Sequence, residues 1–190
     1  MKPQLKMILG LSLVLFSLGA IAEMPPPKNT GIALNTQVPE LSVVDIYRNK
    51  QTVKQLSGDK GLILVLFRSA DWCPFCKRQL LEINQWAEKF NTLGYRVAAV
   101  SYDSVETLRK YTFKKKIIYP LLSDQNNQTI LDYKVLNTEQ KPGTKHYGIP
   151  FPGVMIIDNT GVLQYKYFYE GYKKRIKMKL LYEFLSKKSA

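Results

Sequence analysis

Hydrophobic positions along the chain follow two different periods on either side of residue 70. Gly61-Leu62-Ile63-Leu64-Val65-Leu66-Phe67 is an unbroken apolar run, the pattern of a strand buried on both faces between helices. After it the period lengthens. Cys76, Leu80, Ile83, Ala87 and Phe90 recur at spacings of four, three, four and three, which lays one core-facing stripe along a helix. Pro74 suits the first position of that helix, where its fixed φ fits and its missing N–H is not needed.

The remaining elements follow from the same patterns. Leu41 to Tyr47 predicts a strand, Arg48-Asn49-Lys50 a turn and Gln51-Thr52-Val53 a short return strand, together an N-terminal hairpin. Arg96 to Ser101 predicts a second core strand. Ser104 caps a helix reaching about Lys115, with Val105, Leu108 and Tyr111 as its apolar positions. Lys114-Lys115-Lys116 places positive charge at the negative end of that helix dipole. Ile117 to Leu122 returns towards the core, and Asn127 to Val135 reads as a short helix. Val154 to Ile157 is a strand, Asp158-Asn159-Thr160-Gly161 a hairpin turn with glycine at the left-handed position, and Val162 to Phe168 pairs back. A last amphipathic helix runs from Lys173 to about Lys187, with Ile176, Leu180 and Phe184 on one side, widened by Leu181 and Leu185. It reads as a cover for one face of the sheet, with weak association with a membrane surface as the alternative. The elements add up to an α/β protein.

The N-terminus changes the compartment. Lys2 and Lys6, the apolar run Met7 to Gly19 and the Ala20-Ile21-Ala22 triplet have the form of an export signal cleaved after Ala22, which implies a periplasmic protein. The expected organisation is a signal peptide at 1–22, a proline-rich linker at 23–34 and one domain at 35–188. Net charge is +13, and loss of Lys2 and Lys6 with the leader lowers it to +11. Such a surplus suits anionic partners or a polyanionic surface such as a membrane face. There is no nucleic-acid motif, so no nucleic-acid partner is expected.

The chain's two cysteines, Cys73 and Cys76, stand at the start of the stripe-bearing helix, in Trp72-Cys73-Pro74-Phe75-Cys76. Cys73 takes the cap position, where unpaired backbone N–H groups and the helix dipole favour a thiolate. In such a setting a cysteine pKa falls from about 8.5 to roughly 3.5–7.5. Cys73 is therefore the expected attacking sulfur and Cys76, one turn into the buried stripe, the resolving one. Zinc needs about four ligands, and the one further soft candidate is His146. Covalent haem attachment needs histidine after the second cysteine, where Lys77 stands. An inert structural disulfide in a basic binding module remains an alternative. No metal or organic cofactor is called for. His146 lies in the polar loop Asn137 to Gly148 and reads as solvated, with a position near the cysteines as the other reading.

Strand, Trp-Cys-Pro-Phe-Cys, helix, strand, helix, then proline, hairpin and helix resembles the thioredoxin fold, a central mixed sheet flanked by helices. More narrowly, Leu34 to Glu170 resembles the AhpC/TSA–redoxin branch, which includes peroxiredoxins and periplasmic thiol-disulfide reductases. The likeness rests on the N-terminal hairpin, Leu64-Val65-Leu66-Phe67, Val100-Ser101-Tyr102-Asp103-Ser104, Tyr119-Pro120-Leu121-Leu122-Ser123-Asp124 and Gly148-Ile149-Pro150-Phe151-Pro152-Gly153. It implies an extra helix-containing insertion and a thiol-disulfide oxidoreductase acting on protein or small-molecule disulfides. A donor or acceptor thiol protein would be its partner. The rival activity is peroxiredoxin-like reduction of hydroperoxides. By the same resemblance Pro152 matches the family's cis-proline, and Phe151 would offer its backbone as an edge to a bound peptide. Trp72, Pro74 and Phe75 complete the expected substrate contacts. Peroxiredoxins carry Thr or Ser three residues before the reactive cysteine, where this chain has Ala70, and an arginine where it has Pro152. Reductase relatives often carry Glu three residues after the second cysteine, where Gln79 stands.

Overall fold

Seven strands form one mixed sheet in the order β2-β1-β5-β4-β3-β6-β7 in the computed structural model, which describes residues 29–169 and 171–189. The expected leader and the first part of the linker lie outside the described residues. At the centre, β3 (Gly61–Leu66) runs parallel to β4 (Tyr95–Ser101) and antiparallel to β6 (Gly153–Asp158). β5 (Leu121–Ser123) pairs parallel with β4, and β7 (Leu163–Phe168) antiparallel with β6. A two-residue hairpin, β1 (Val43–Val44) and β2 (Lys50–Gln51), closes the other edge antiparallel to β5.

Alternation along β3 builds two cores. Ile63, Val65 and Phe67 point into one, with α2 (Pro74–Thr92), α3 (Val105–Lys115) and α5 (Met178–Ser189). Leu62, Leu64 and Leu66 point into the other, which α1 (Val53–Leu56) and α4 (Gln128–Asp132) cover through Leu56 and Ile130. Six consecutive buried residues in β3 are what a strand between two helical layers requires. In the N-terminal segment, Gly31 and Ile32 N–H groups bond to Lys134 and Tyr133 carbonyls, and Ile32 is buried. None of the described helices is long and apolar enough to cross a membrane.

Ile117 to Leu122 returns to the core as expected, with Ile117, Tyr119, Leu121 and Leu122 buried and its end entering β5. Two expected elements differ. Thr52 and Val53 do not extend the return strand, because Thr52 and Gln55 form a reciprocal capping box that starts α1. The final helix begins at Met178, and residues 171–177 form a strap. Its buried stripe is Met178, Leu181 and Leu185, while Leu180 is 42% exposed. Ile176 is buried as expected, but from the strap rather than from the helix.

Candidate active site

The loop between β3 and α2 is held from below by one carboxylate. Asp103, just past the end of β4, accepts Ala70 N–H at 2.7 Å, Ser69 Oγ–H at 2.8 Å and Ser101 Oγ–H at 3.0 Å. Ser69 Oγ in turn accepts Asp71 N–H at 2.9 Å. Burial pushes the Asp103 carboxyl above its ordinary pKa, against the opposing pull of those three donors. Ser123 Oγ donates to the Asp103 carbonyl at 2.7 Å, tying the brace to β5. Asp103 was not singled out from the sequence, although an acid at the C-terminal end of a core strand, beside the sheet end that carries the cysteines, is a signal for it.

From this loop the chain enters α2 with Cys73 at the N-cap and Pro74 at N1. Cys73 Sγ accepts Cys76 N–H at 3.2 Å, and its carbonyl accepts Lys77 N–H at 3.0 Å. The two sulfurs are joined in a disulfide, with Cα atoms 5.3 Å apart. Both residues are fully buried in this state. The expected difference between an accessible and a shielded sulfur is therefore absent from the disulfide form, and what separates the two is the cap bond to Cys73. Cys76, Leu80, Ile83 and Phe90 are fully buried as the stripe requires.

Aromatic and cationic groups surround the pair. Trp72 donates through Nε1 to Tyr102 Oη at 3.0 Å, and His146 stacks on its ring at 4.1 Å. His146 is thus not a solvated loop residue: tertiary folding brings the 137–148 loop onto Trp72, next to Cys73. The Arg68 guanidinium lies 4.7 Å from the Trp72 ring and 4.6 Å from that of Tyr172 in the strap. Phe75 meets Tyr172 edge to face at 5.6 Å and lies under Arg78 at 5.2 Å. Pro74 is exposed. Arg175, also in the strap, donates through Nε to Gln79 Oε1 at 3.0 Å. Neither Tyr172 nor Arg175 was singled out from the sequence.

Phe151 and Pro152 reach the same end of the sheet, since Gly153 pairs with Leu66. Their expected roles change in two respects. The described residues contain no cis peptide bond, so Phe151–Pro152 is trans. Phe151 N–H donates to Val135 O at 2.7 Å, and Leu136 bridges Pro150. The insertion that carries α4 folds back along residues 149–151 as an extended pairing, so the Phe151 amide is already used by the chain itself.

This architecture defines a thioredoxin-like α/β protein with a Cys-X-X-Cys disulfide at the N-terminus of its central helix. The chain belongs to the AhpC/TSA family, whose profile matches residues 34–166. Among curated relatives, a putative peroxiredoxin ycf42 of Trieres chinensis is 26% identical over 136 residues, 67% of this chain and 63% of the relative. Peroxiredoxin-2 of Pongo abelii is 34% identical over 118 residues, 58% of this chain and 63% of the relative. The chain thus aligns with under two thirds of these relatives' length. A solved thiol peroxidase from Chromobacterium violaceum superposes with a TM-score of 0.70 at 18% identity, covering 88% of this chain and 93% of that one. A peroxiredoxin-like protein from Aquifex aeolicus gives 0.68 at 19% identity, covering 86% and 89%. At these identities the structural likeness concerns the fold.

Proposed function

We propose that the chain is an exported thiol-disulfide oxidoreductase working through the Cys73–Cys76 pair. The observation that carries this reading is the bonded pair at the head of α2, with Cys73 Sγ accepting the Cys76 amide. In the reduced protein the same amide and the helix N-terminus stabilise a Cys73 thiolate. That thiolate attacks a substrate disulfide and forms a mixed disulfide. Cys76 displaces the second substrate sulfur and closes the Cys73–Cys76 bond, and the reverse sequence oxidises a dithiol. Trp72, Phe75 and the exposed Pro74 form the rim that meets the partner.

Family membership supports a second reading, in which Cys73 reduces a hydroperoxide through a sulfenic acid and Cys76 resolves it. Against it, Ala70 carries no hydroxyl, and the neighbouring Ser69 hydroxyl and Ala70 N–H are both spent on Asp103. Charge leaving on oxygen needs donors beside the sulfur.

Stopped-flow oxidation by hydrogen peroxide, beside turnover of a peptide disulfide on the same reduced preparation, separates the two. The expected result is ready disulfide reduction and peroxide oxidation at the pace of an ordinary low-pKa thiol. Cys73→Ser abolishes both reactions, and Cys76→Ser accumulates a mixed disulfide. Peroxide oxidation orders of magnitude faster, with sluggish disulfide turnover, makes the peroxidase reading the correct one. Export is checked by the N-terminus of the protein recovered from cells, expected at Glu23.

A further inference from the structure

Among the described residues, three arginine and glutamine donors around the first turns of α2 lack acceptors. Besides Nδ1 of His146, which stacks on Trp72, Arg68 Nε, Gln79 Nε2 and Arg175 Nη2 are each buried with no hydrogen-bond partner among those residues. Gln79 is only 3% exposed, and its orientation is set because Oε1 accepts the hydrogen bond that Arg175 Nε–H donates. Its NH2 group is therefore the unmatched end. Arg175 is itself pinned, with Nη1 donating to the carbonyls of Tyr172 and Lys174. Glu139 faces Arg68 electrostatically from the 137–148 loop. The charges acting on Arg175 are those of Arg68 and Arg78, both positive, and after burial they help lower its pKa to about 10.

Unmatched buried donors forfeit their hydration, and gathered like charges add to the cost unless an anion joins them. Gln79 lies one turn beyond Cys76 on α2, about 5 Å along the helix axis. In the strap above the cluster, a Cβ added at Gly171 would meet no described atom, and Tyr172 is 44% exposed.

We infer that Arg68, Gln79 and Arg175 form a subsite for the carboxylate of the molecule whose sulfur reacts at Cys73. This rests on the disulfide-exchange reading above and narrows its substrate class to small disulfides with a carboxylate a few bonds from sulfur. A carboxylate offers two oxygens able to accept the three N–H groups, and arginine suits such planar acceptors. The carboxylate enters from the Gly171 side, where Tyr172 moves aside. Exchange then proceeds in balance. Cys73 thiolate bonds to one substrate sulfur and releases the other as a thiolate. Cys76 thiolate then displaces the first. The protein dithiol loses two electrons, and its two protons go to the two product thiols.

The test uses the full mature protein and two substrates matched in carbon skeleton, 3,3′-dithiodipropionate and its neutral diamide. In about 0.5 M salt, which screens long-range surface charge, the reduced protein is expected to react with the dicarboxylate about tenfold faster relative to the diamide than a free thiol does. Arg175→Gln and Arg68→Gln bring that ratio down towards the free-thiol value. A ratio that both variants leave unchanged overturns the subsite.

A second arm is independent of exchange. The oxidised protein is titrated with 3,3′-thiodipropionate, a thioether that cannot exchange, with tryptophan fluorescence as the readout. Saturable binding that Arg175→Gln or Arg68→Gln weakens supports the subsite even if disulfide turnover fails. Absence of saturable binding overturns it even if turnover succeeds.

Discussion

Asp103 is the residue on which the geometry of the cysteine loop depends. Its side chain replaces, for Ala70 N–H and the Ser69 and Ser101 hydroxyls, the water they lost on burial. Asp103→Ala leaves all three without an acceptor, at about 1–3 kcal/mol for each buried group that finds no new partner. An overall loss of about 3 kcal/mol in urea unfolding is expected, together with slower exchange at Cys73 as the loop loosens. Asp103→Asn keeps one oxygen acceptor and should lose less. Equal stability of wild type and Asp103→Ala would show that the brace is dispensable. His146 illustrates the same scale from the other side: its aromatic partner, Trp72, is 74 positions away in the chain. No local pattern marks such a pair.

At the scale of elements, α5 gives the sharpest contrast. Leu181 and Leu185 are fully buried against α2 and the sheet, while Leu180 on the same helix is 42% exposed. Leu185→Ala is expected to cost about 2–5 kcal/mol and Leu180→Ala less than about 0.5 kcal/mol, read as shifts in denaturation midpoint. Comparable losses at both positions would mean the helix is rotated. The start of β6 is constrained differently. A Cβ at Gly153 would lie 2.2 Å from Phe168 Cδ1, and Phe168 is buried in the core. Gly153→Ala therefore forces β6 and β7 apart beside Pro152. A loss of about 1–3 kcal/mol is expected from overpacking, and Phe168→Leu, which clears the ring, should recover part of it in Gly153→Ala.

For the whole molecule, two buried carboxyls set a direction for stability against pH. Burial raises both Asp103 and Asp124 above the ordinary value of 3.8, in each case against opposing hydrogen bonds. The folded chain then binds their protons more tightly than the unfolded chain does. Their contribution to stability is fully present below the unfolded pKa and is lost as pH rises through the raised folded values. Wild type minus Asp103→Asn should therefore show a stability difference that declines as pH increases from about 4. A difference that is flat or grows over that range would reverse the sign assigned to Asp103. Chemical denaturation at a series of pH values measures it directly.

Local chemistry in the sequence alone determined the central strand, the active-site helix with Cys73 at its cap, Ser104 as the cap of α3 and the Asp158–Gly161 turn. Each depends on neighbours within about one or two helical turns, and side-chain period, proline φ and left-handed glycine act over that range. Tertiary structure alone decided what surrounds the sulfurs. Asp103 reaches Ser69 across 34 positions, and Arg175 reaches Gln79 across 96. Residues 149–151 spend the Phe151 amide on a segment the sequence marked as a separate helix and loop. These contacts are fixed by how strands order themselves and which helix faces meet, and burial then decides which polar groups must pair.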